Sequence, residues 1–322
     1  MSGVEVVVQF STGRGSFAAA ARAIERHGAD RVSLLFADTA AEDVDNYRFL
    51  AEAPAALGVP VHVVKDGRSP WDVADDEGMI PNSRVPLCSR VLKHEPARRW
   101  LAEHAPDALL VVGLGWHETH RAAGVTAGWA PWQVWLPMCE PPYLDGPAVD
   151  ALIRSYGIEP PRMYAFGYEH ANCAGACLRA GQGAWAHLLH DSPALYAENE
   201  RREEVFRART GKDVSVHRWR SGPLVGKALP LRVLRERIEA AEVDTLDLGD
   251  WGGCGCTTSA AVEVAPHLGA SLPYDPLRDF APITLTFSNP YFLVVHPGVA
   301  AGSVKEFIAL ARARPGQLNY AS

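Results

Sequence analysis

Short runs of β-branched and aliphatic residues alternate with longer amphipathic stretches through the first third of the chain. Residues 4–10 (Val-Glu-Val-Val-Val-Gln-Phe) read as a strand that ends in a small-residue turn at 11–16. Residues 17–27 then carry helical spacing and close at Gly28. The same alternation repeats: a strand at 32–36, a helix at 42–57, a strand at 61–64, a helix at 87–104 and a strand at 108–112 that ends in Gly113-Leu114-Gly115. Apolar strands separated by helices imply right-handed crossovers and a parallel sheet covered on both faces, so the expected fold class is α/β.

The pattern changes after about residue 122. Trp129, Trp132 and Trp135 stand among prolines, and they read as filling a core or an interdomain seam more readily than as stacking a ligand. Helices are expected at 145–156, 181–189 and 193–209, which makes 123–256 a mainly helical region. From 257 the chain is poor in charge, with a strand expected at 291–296 and a short helix at 304–314. Three parts are therefore expected: 1–122, 123–256 and 257–322.

Composition narrows the class. In 322 residues, 48% are hydrophobic and 21% charged, the balance of a globular chain that buries a core. The longest apolar runs, at 108–115 and 292–295, are far too short to cross a bilayer. The N-terminus has no basic start and does not read as a secretory signal, so a cytoplasmic protein is expected, with no membrane partner. A net charge of −7 provides no bulk footprint for nucleic acid and leaves only a local basic groove open. Six cysteines in such a chain point to metal or thiol chemistry rather than a disulfide framework.

In a parallel sheet, ligands bind beyond the carboxyl ends of the strands, and the candidate chemistry sits there. Ser11, Thr12, Gly13, Arg14, Gly15 and Ser16 link the first strand to its helix. Two glycines let backbone approach an anion, the hydroxyls add donors, and a helix N-terminus follows, so the segment reads as a phosphate cradle or as a plain tight turn. Asp38, in Phe36-Ala37-Asp38-Thr39, is placed to accept from ribose or adenine groups, or to cap the next helix. Gly113 is followed by Glu118 and Arg121, whose guanidinium suits phosphate or sulfate, or else is a solvated loop charge. Arg90, Lys93 and His94 gather positive charge beside Cys88, a setting that lowers a thiol pKa and draws anions; a buried inert cysteine is the alternative.

Taken together and in order, these elements resemble the adenine nucleotide alpha-hydrolase (PP-loop, Rossmann-like) superfamily, in particular its phosphoadenosine phosphosulfate reductase-like branch of bacteria and phages. Ser11, Gly13 and Ser16 match the family's S-G-G-x-D-S loop, with Thr12 and Gly15 at the second glycine and the acid. Phe36 to Thr39 match its F-A-D-T element, followed by Tyr47-Arg48-Phe49. Cys88, Leu92, Lys93 and Pro96 match C-x-x-x-L-K-x-x-P, and Gly113, Glu118 and Arg121 match G-x-x-x-x-E-x-x-R. The resemblance spans about residues 4–256 and implies ATP or an adenylyl sulfate along the strand ends, with chemistry at a phosphate anhydride or sulfuryl group.

On that resemblance Ser11 to Ser16, Asp38, Gly113 and Glu118 bind the nucleotide. Arg90, Lys93 and Arg121 neutralise charge that develops in the transition state, and Cys88 is a thiol participant or a structural or cluster ligand. Gly15 in place of the loop acid puts Mg-dependent ATP cleavage in question, and the reductases' Glu-Cys-Gly-Leu-His element is absent from the 322 residues.

Cys173 and Cys177 (C-x3-C) with Cys254 and Cys256 (C-x-C) form two close pairs that suit tetrahedral Zn or an iron–sulfur cluster, or else are scattered buried or redox-active thiols. His170 is a spare ligand candidate. An iron–sulfur partner in DNA sulfur modification is the rival within the fold.

The tail is a separate matter. Residues 258–322, with Leu272-Pro273-Tyr274-Asp275-Pro276 and Pro315-Gly316-Gln317-Leu318-Asn319-Tyr320-Ala321-Ser322, resemble the Bug family of periplasmic substrate-binding proteins of tripartite tricarboxylate transporters. Only part of such a domain is present, which reads as a fusion or truncation; a solute-binding protein is the rival of another class.

Overall fold

The computed structural model describes residues 5–81 and 85–252. The elements expected at 291–296 and 304–314, the tail as a whole, and Cys254 and Cys256 lie outside the described residues. Every described residue belongs to one compact unit.

Five strands form one parallel sheet: β1 Val6–Gln9, β2 Val32–Asp38, β3 Val61–Lys65, β4 Leu109–Val112 and β5 Gln133–Trp135, in the spatial order β3-β2-β1-β4-β5. The connecting helices are α1 Arg14–His27, α2 Val44–Leu57, α3 Pro70–Glu77, α4 Glu95–His104, α5 Ala122–Trp129 and α6 Gly146–Ser155. The α/β class read from the alternation is the class observed. Val6 of β1 faces Val32 of β2 on one side and Leu109 of β4 on the other. From this central strand the chain winds outward in both directions, which makes the gap between the ends of β1 and β4 the topological switch point.

β5 is a correction to the sequence reading. Gln133–Trp135 lies in the tryptophan- and proline-rich stretch and pairs with β4 through Leu110↔Val134 and Val111↔Trp135. Three residues are too few to show a period. α3, α5 and a later helix at Leu231–Glu239 likewise add helices that the pattern did not reveal.

Alternation along β1 divides the core. Val6 and Val8 pack with Phe17, Ala20 and Ala23 of α1, Phe49 and Ala53 of α2, and Val149 and Ile153 of α6. Val7 points the other way, with Leu35, Leu110 and Val112, against Ala97 and Leu101 of α4, Val125 and Trp129 of α5, and Trp132. Trp129 and Trp132 are thus core residues. Burying each large apolar side chain in these layers stabilises the fold by about 1.5–3 kcal/mol.

A second cluster holds the later helices α7 Gln182–Asp191, α8 Pro193–Thr210 and α9 Leu231–Glu239, joined by the antiparallel pair β6 His217–Arg218 and β7 Ala228–Leu229. Trp185, Tyr196, Phe206 and Leu231 fill it, together with Trp71 of α3. Among the described residues no helix is long and apolar enough to cross a membrane.

Candidate functional site

A cavity of about 290 Å³ opens beyond the carboxyl ends of β1, β2 and β4. Strand-end residues Gln9, Phe10, Phe36, Ala37 and Val112 line it, together with the loops after β1 and β4. It gathers Ser11, Gly13, Arg14, Gly15, Ser16, Lys93, Gly113, Glu118 and Arg121, which the chain supplies from segments about a hundred residues apart.

The loop after β1 is organised by its own last hydroxyl. Ser16 Oγ accepts from the amides of Ser11 (3.2 Å) and Gly13 (3.3 Å) and donates to the Gly13 carbonyl (2.9 Å). The helix leaves its first amides without internal partners. Gly13's amide is taken by Ser16, and Arg14's donates to the Tyr164 hydroxyl at 3.0 Å. Gly15 and Ser16 supply the next two, at the positive end of the α1 dipole. Thr12 is fully buried with φ +58°, and its hydroxyl donates to the Ser11 carbonyl, so it shapes the turn and does not line the cavity.

Gly15 and Gly113 explain the close approach of the two loops. A β-carbon on Gly15 would lie 2.6 Å from the Gly113 carbonyl oxygen, and one on Gly113 would lie 2.6 Å from the Ser16 amide nitrogen. Backbone thus meets backbone across the switch point, and position 15 has no room for the acid of the family loop.

Three cations reach the cavity, and each has a carboxylate. Arg14 grips Asp150 with Nε (2.5 Å) and Nη2, its guanidinium lying 3.9 Å from the centre of the Tyr164 ring. Arg121 pairs with Glu118. Lys93 Nζ stands 3.7 Å from Glu42 Oε1. Glu42 is only 1% exposed, and it also accepts from Thr39 Oγ1 (3.0 Å), Asn46 Nδ2 (3.3 Å) and the Cys173 amide (3.2 Å). Lys93 is delivered by a π-helical turn, Ser89–His94, closed by the Glu95 amide on the Arg90 carbonyl. Such turns break the α ladder and re-aim side chains. His94, on the same turn, stacks on Trp129 (ring centres 4.8 Å apart), and both line the cavity.

Other predicted residues stand apart. Asp38 accepts from the Ala40 amide (2.9 Å) and the Tyr47 hydroxyl (2.8 Å), while Asp43 caps α2; Asp38 is outside the cavity lining. Arg90 is 55% exposed and faces Glu95 (3.4 Å) and Glu77 (4.0 Å). Cys88 packs beside Val73, Leu87, Val91 and Leu92, also outside the lining. Glu42, Asp150 and Tyr164 escaped the sequence reading: an isolated acid or tyrosine carries no motif, and each acts through a partner distant in sequence. His170, offered as a spare metal ligand, lines the cavity.

Cys173 and Cys177 come together, joined by a hydrogen bond between their thiols, which with burial pushes the Cys173 thiol well above its ordinary range. Two thiols are half of a tetrahedral set, and the other predicted pair lies outside the described residues. Among the described residues no three His, Cys, Asp or Glu side chains converge as a metal site would need.

The model of the tripartite tricarboxylate transporter family receptor matches residues 252–322. No curated protein matches the chain. Among solved structures, a phosphoadenylyl-sulfate reductase from Candida auris, determined as a phosphate complex, is similar at 19% identity. It covers 52% of this chain and 80% of its own, with a TM-score of 0.38. So distant a likeness carries no argument, and the reading of the cavity rests on its own geometry.

Proposed function

We propose that the chain is an adenine-nucleotide-binding enzyme of the PP-loop kind, acting on a phosphate anhydride or an activated sulfate in the crevice between β1 and β4. The observation that carries this reading is the contact of Gly15 with Gly113, which sets a helix N-terminus at the switch point with Arg14, Lys93 and Arg121 around one cavity. An oxyanion group would accept from the Gly15 and Ser16 amides. A bound polyanion would share Lys93 with Glu42 and Arg121 with Glu118, so the cations are held in place before the ligand arrives. Preorganised donors of this kind favour charge that develops as an anhydride or sulfuryl bond breaks. The stacked pair Trp129 and His94 backs one wall of the cavity. The reading implies a cytoplasmic protein, with Mg as a further candidate cofactor.

Calorimetric titration of the full chain with ATP and with an adenylyl sulfate, each with and without Mg, tests it. Saturable binding of either, weakened at least tenfold in Lys93→Ala and in Ser16→Ala, is expected. A folded protein that binds neither compound overturns the proposal, and the tighter of the two ligands identifies the substrate class.

A further inference from the structure

The nucleotide reading leaves Cys173 and Cys177 unused. Their placement is costly and specific. Cys173 (φ +54°), Ala174 (φ +49°) and Gly175 (φ +83°) take the left-handed conformation in succession. Non-glycine residues hold that conformation only where the surroundings impose it. Here the Cys173 amide donates to buried Glu42 (3.2 Å), the Ala176 amide donates to the Cys173 carbonyl (2.8 Å), and the Cys177 carbonyl accepts from Trp185 Nε1 (3.1 Å). The tight coil brings the first thiol into hydrogen-bond contact with the second, four residues on.

Both cysteines are half-buried, and what separates them is the space each faces. Cys177 lines a small cavity of about 50 Å³ with Tyr168, His170 and Trp251, while Cys173 lines neither this cavity nor the strand-end one. Glu169, His170 and Asn172 line both cavities, so a single layer of residues separates the dithiol from the proposed nucleotide site.

We infer that Cys173 and Cys177 form a redox-active dithiol that passes two electrons to a disulfide, with Cys177 as the attacking sulfur and Cys173 as the resolving one. The Cys177 thiolate attacks one sulfur of an incoming R–S–S–R. That bond breaks, one RS⁻ leaves and takes up a proton, and a mixed disulfide remains on Cys177. The Cys173 thiolate then attacks the Cys177 sulfur and expels the second RS⁻, which also takes up a proton. The pair ends as a disulfide, having lost two electrons and two protons, and the substrate ends as two thiols. The inference stands whether or not the nucleotide reading does.

The test equilibrates the full chain with glutathione redox buffers, quenches by alkylation and maps cysteines by peptide mass spectrometry. A Cys173–Cys177 disulfide is expected, with the pair titrating as a single two-electron couple. In Cys173→Ser, glutathione should be trapped on Cys177 at least tenfold more than it is on Cys173 in Cys177→Ser. Cys139, whose thiol donates to the Leu114 carbonyl (3.4 Å), should stay reduced in the same samples. Independent alkylation of the two thiols, a disulfide from either to Cys254 or Cys256, or stoichiometric zinc or iron released on thiol modification overturns the inference. Because wild-type mapping needs no substitution, a misfolded variant does not leave the question open.

Discussion

The backbone of Gly15 is packed so closely on that of Gly113 that neither residue has space for a β-carbon: the Gly113 carbonyl oxygen lies 2.6 Å from where Gly15's would be, and Gly15's carbonyl carbon lies 2.5 Å from where Gly113's would be. Both obstacles are backbone, which cannot swing aside as a side-chain end can. The loops after β1 and β4 are therefore locked together at the point where the sheet reverses its winding. The absence of an acid at position 15 is a requirement of this packing and not an idle drift.

Gly15→Asp, which restores the acid of the resembled family loop, should for that reason fail to create a metal-assisted site. It and Gly113→Ala are each expected to cost about 1–3 kcal/mol of stability through overpacking and to abolish nucleotide binding. Chemical denaturation with parallel calorimetry checks this. A Gly15→Asp protein of unchanged stability would show that the contact is not rigid.

Lys93 and Arg121 should separate stability from binding. Lys93→Ala leaves the Glu42 carboxylate buried with only its three neutral donors, at a cost of about 1–3 kcal/mol. Arg121 is paired at i,i+3 with Glu118, a carboxylate 22% exposed against 1% for Glu42, so water can take up its charge once the guanidinium is removed. Arg121→Ala is thus expected to hold its melting temperature within a few degrees and still lose at least tenfold in nucleotide affinity. Equal destabilisation of the two variants would count against the difference in burial that separates them.

Glu203 gives the helical half a pH dependence. It is fully buried in α8 and accepts from the amides of Val216 and Leu231, both at 2.6 Å, yet burial outweighs these donors and lifts its pKa from 4.5 to about 7. The folded state then binds a proton that the unfolded chain releases above pH 4.5. Its contribution is complete below that pH and falls away as pH rises through about 7, to a total on the order of 3 kcal/mol. Denaturant unfolding at half-unit steps from pH 4.5 to 8 should show this decline, and Glu203→Gln should flatten it. A wild-type curve that rises across the window would assign the dominant titration elsewhere.

Much of this was legible in the chain because strands β1 to β4 are runs of Val, Leu and Phe bounded by small residues, and the loop at 11–16 announces itself by its glycines and serines. β5 was not, since Gln133–Trp135 is three residues long and its pairing with β4 is a matter of register. Glu42 was not either. At the start of a helix an acid reads as solvated, and only the return of Cys173, more than a hundred residues later, closes over it. Asp38 shows the opposite case: its motif is plain in the sequence, but Ala40 and Tyr47 occupy its carboxylate.

Asp150 supplies the sharpest electrostatic test of the cavity. Its carboxylate takes both arms of Arg14, a guanidinium that otherwise would add its charge to the strand-end field. Asp150→Asn removes the negative charge and keeps one oxygen to receive Arg14, while the Tyr164 hydroxyl still accepts from the Arg14 amide and its ring still lies under the guanidinium. The loop should keep its place and the cavity gain one net positive charge. Affinity for ATP or adenylyl sulfate is then expected to rise about three- to tenfold at low salt. Exposed electrostatics weaken as the Debye length shrinks from about 30 Å at 0.01 M to about 10 Å at 0.1 M, so the gain should largely vanish at several hundred millimolar salt. Titrations of both proteins at about 20 and about 300 mM salt, between which the Debye length shrinks about fourfold, decide the matter. Unchanged or weaker binding by Asp150→Asn at low salt would mean that Arg14 faces away from the anion, and that the α1 amides with Lys93 and Arg121 carry the recognition alone.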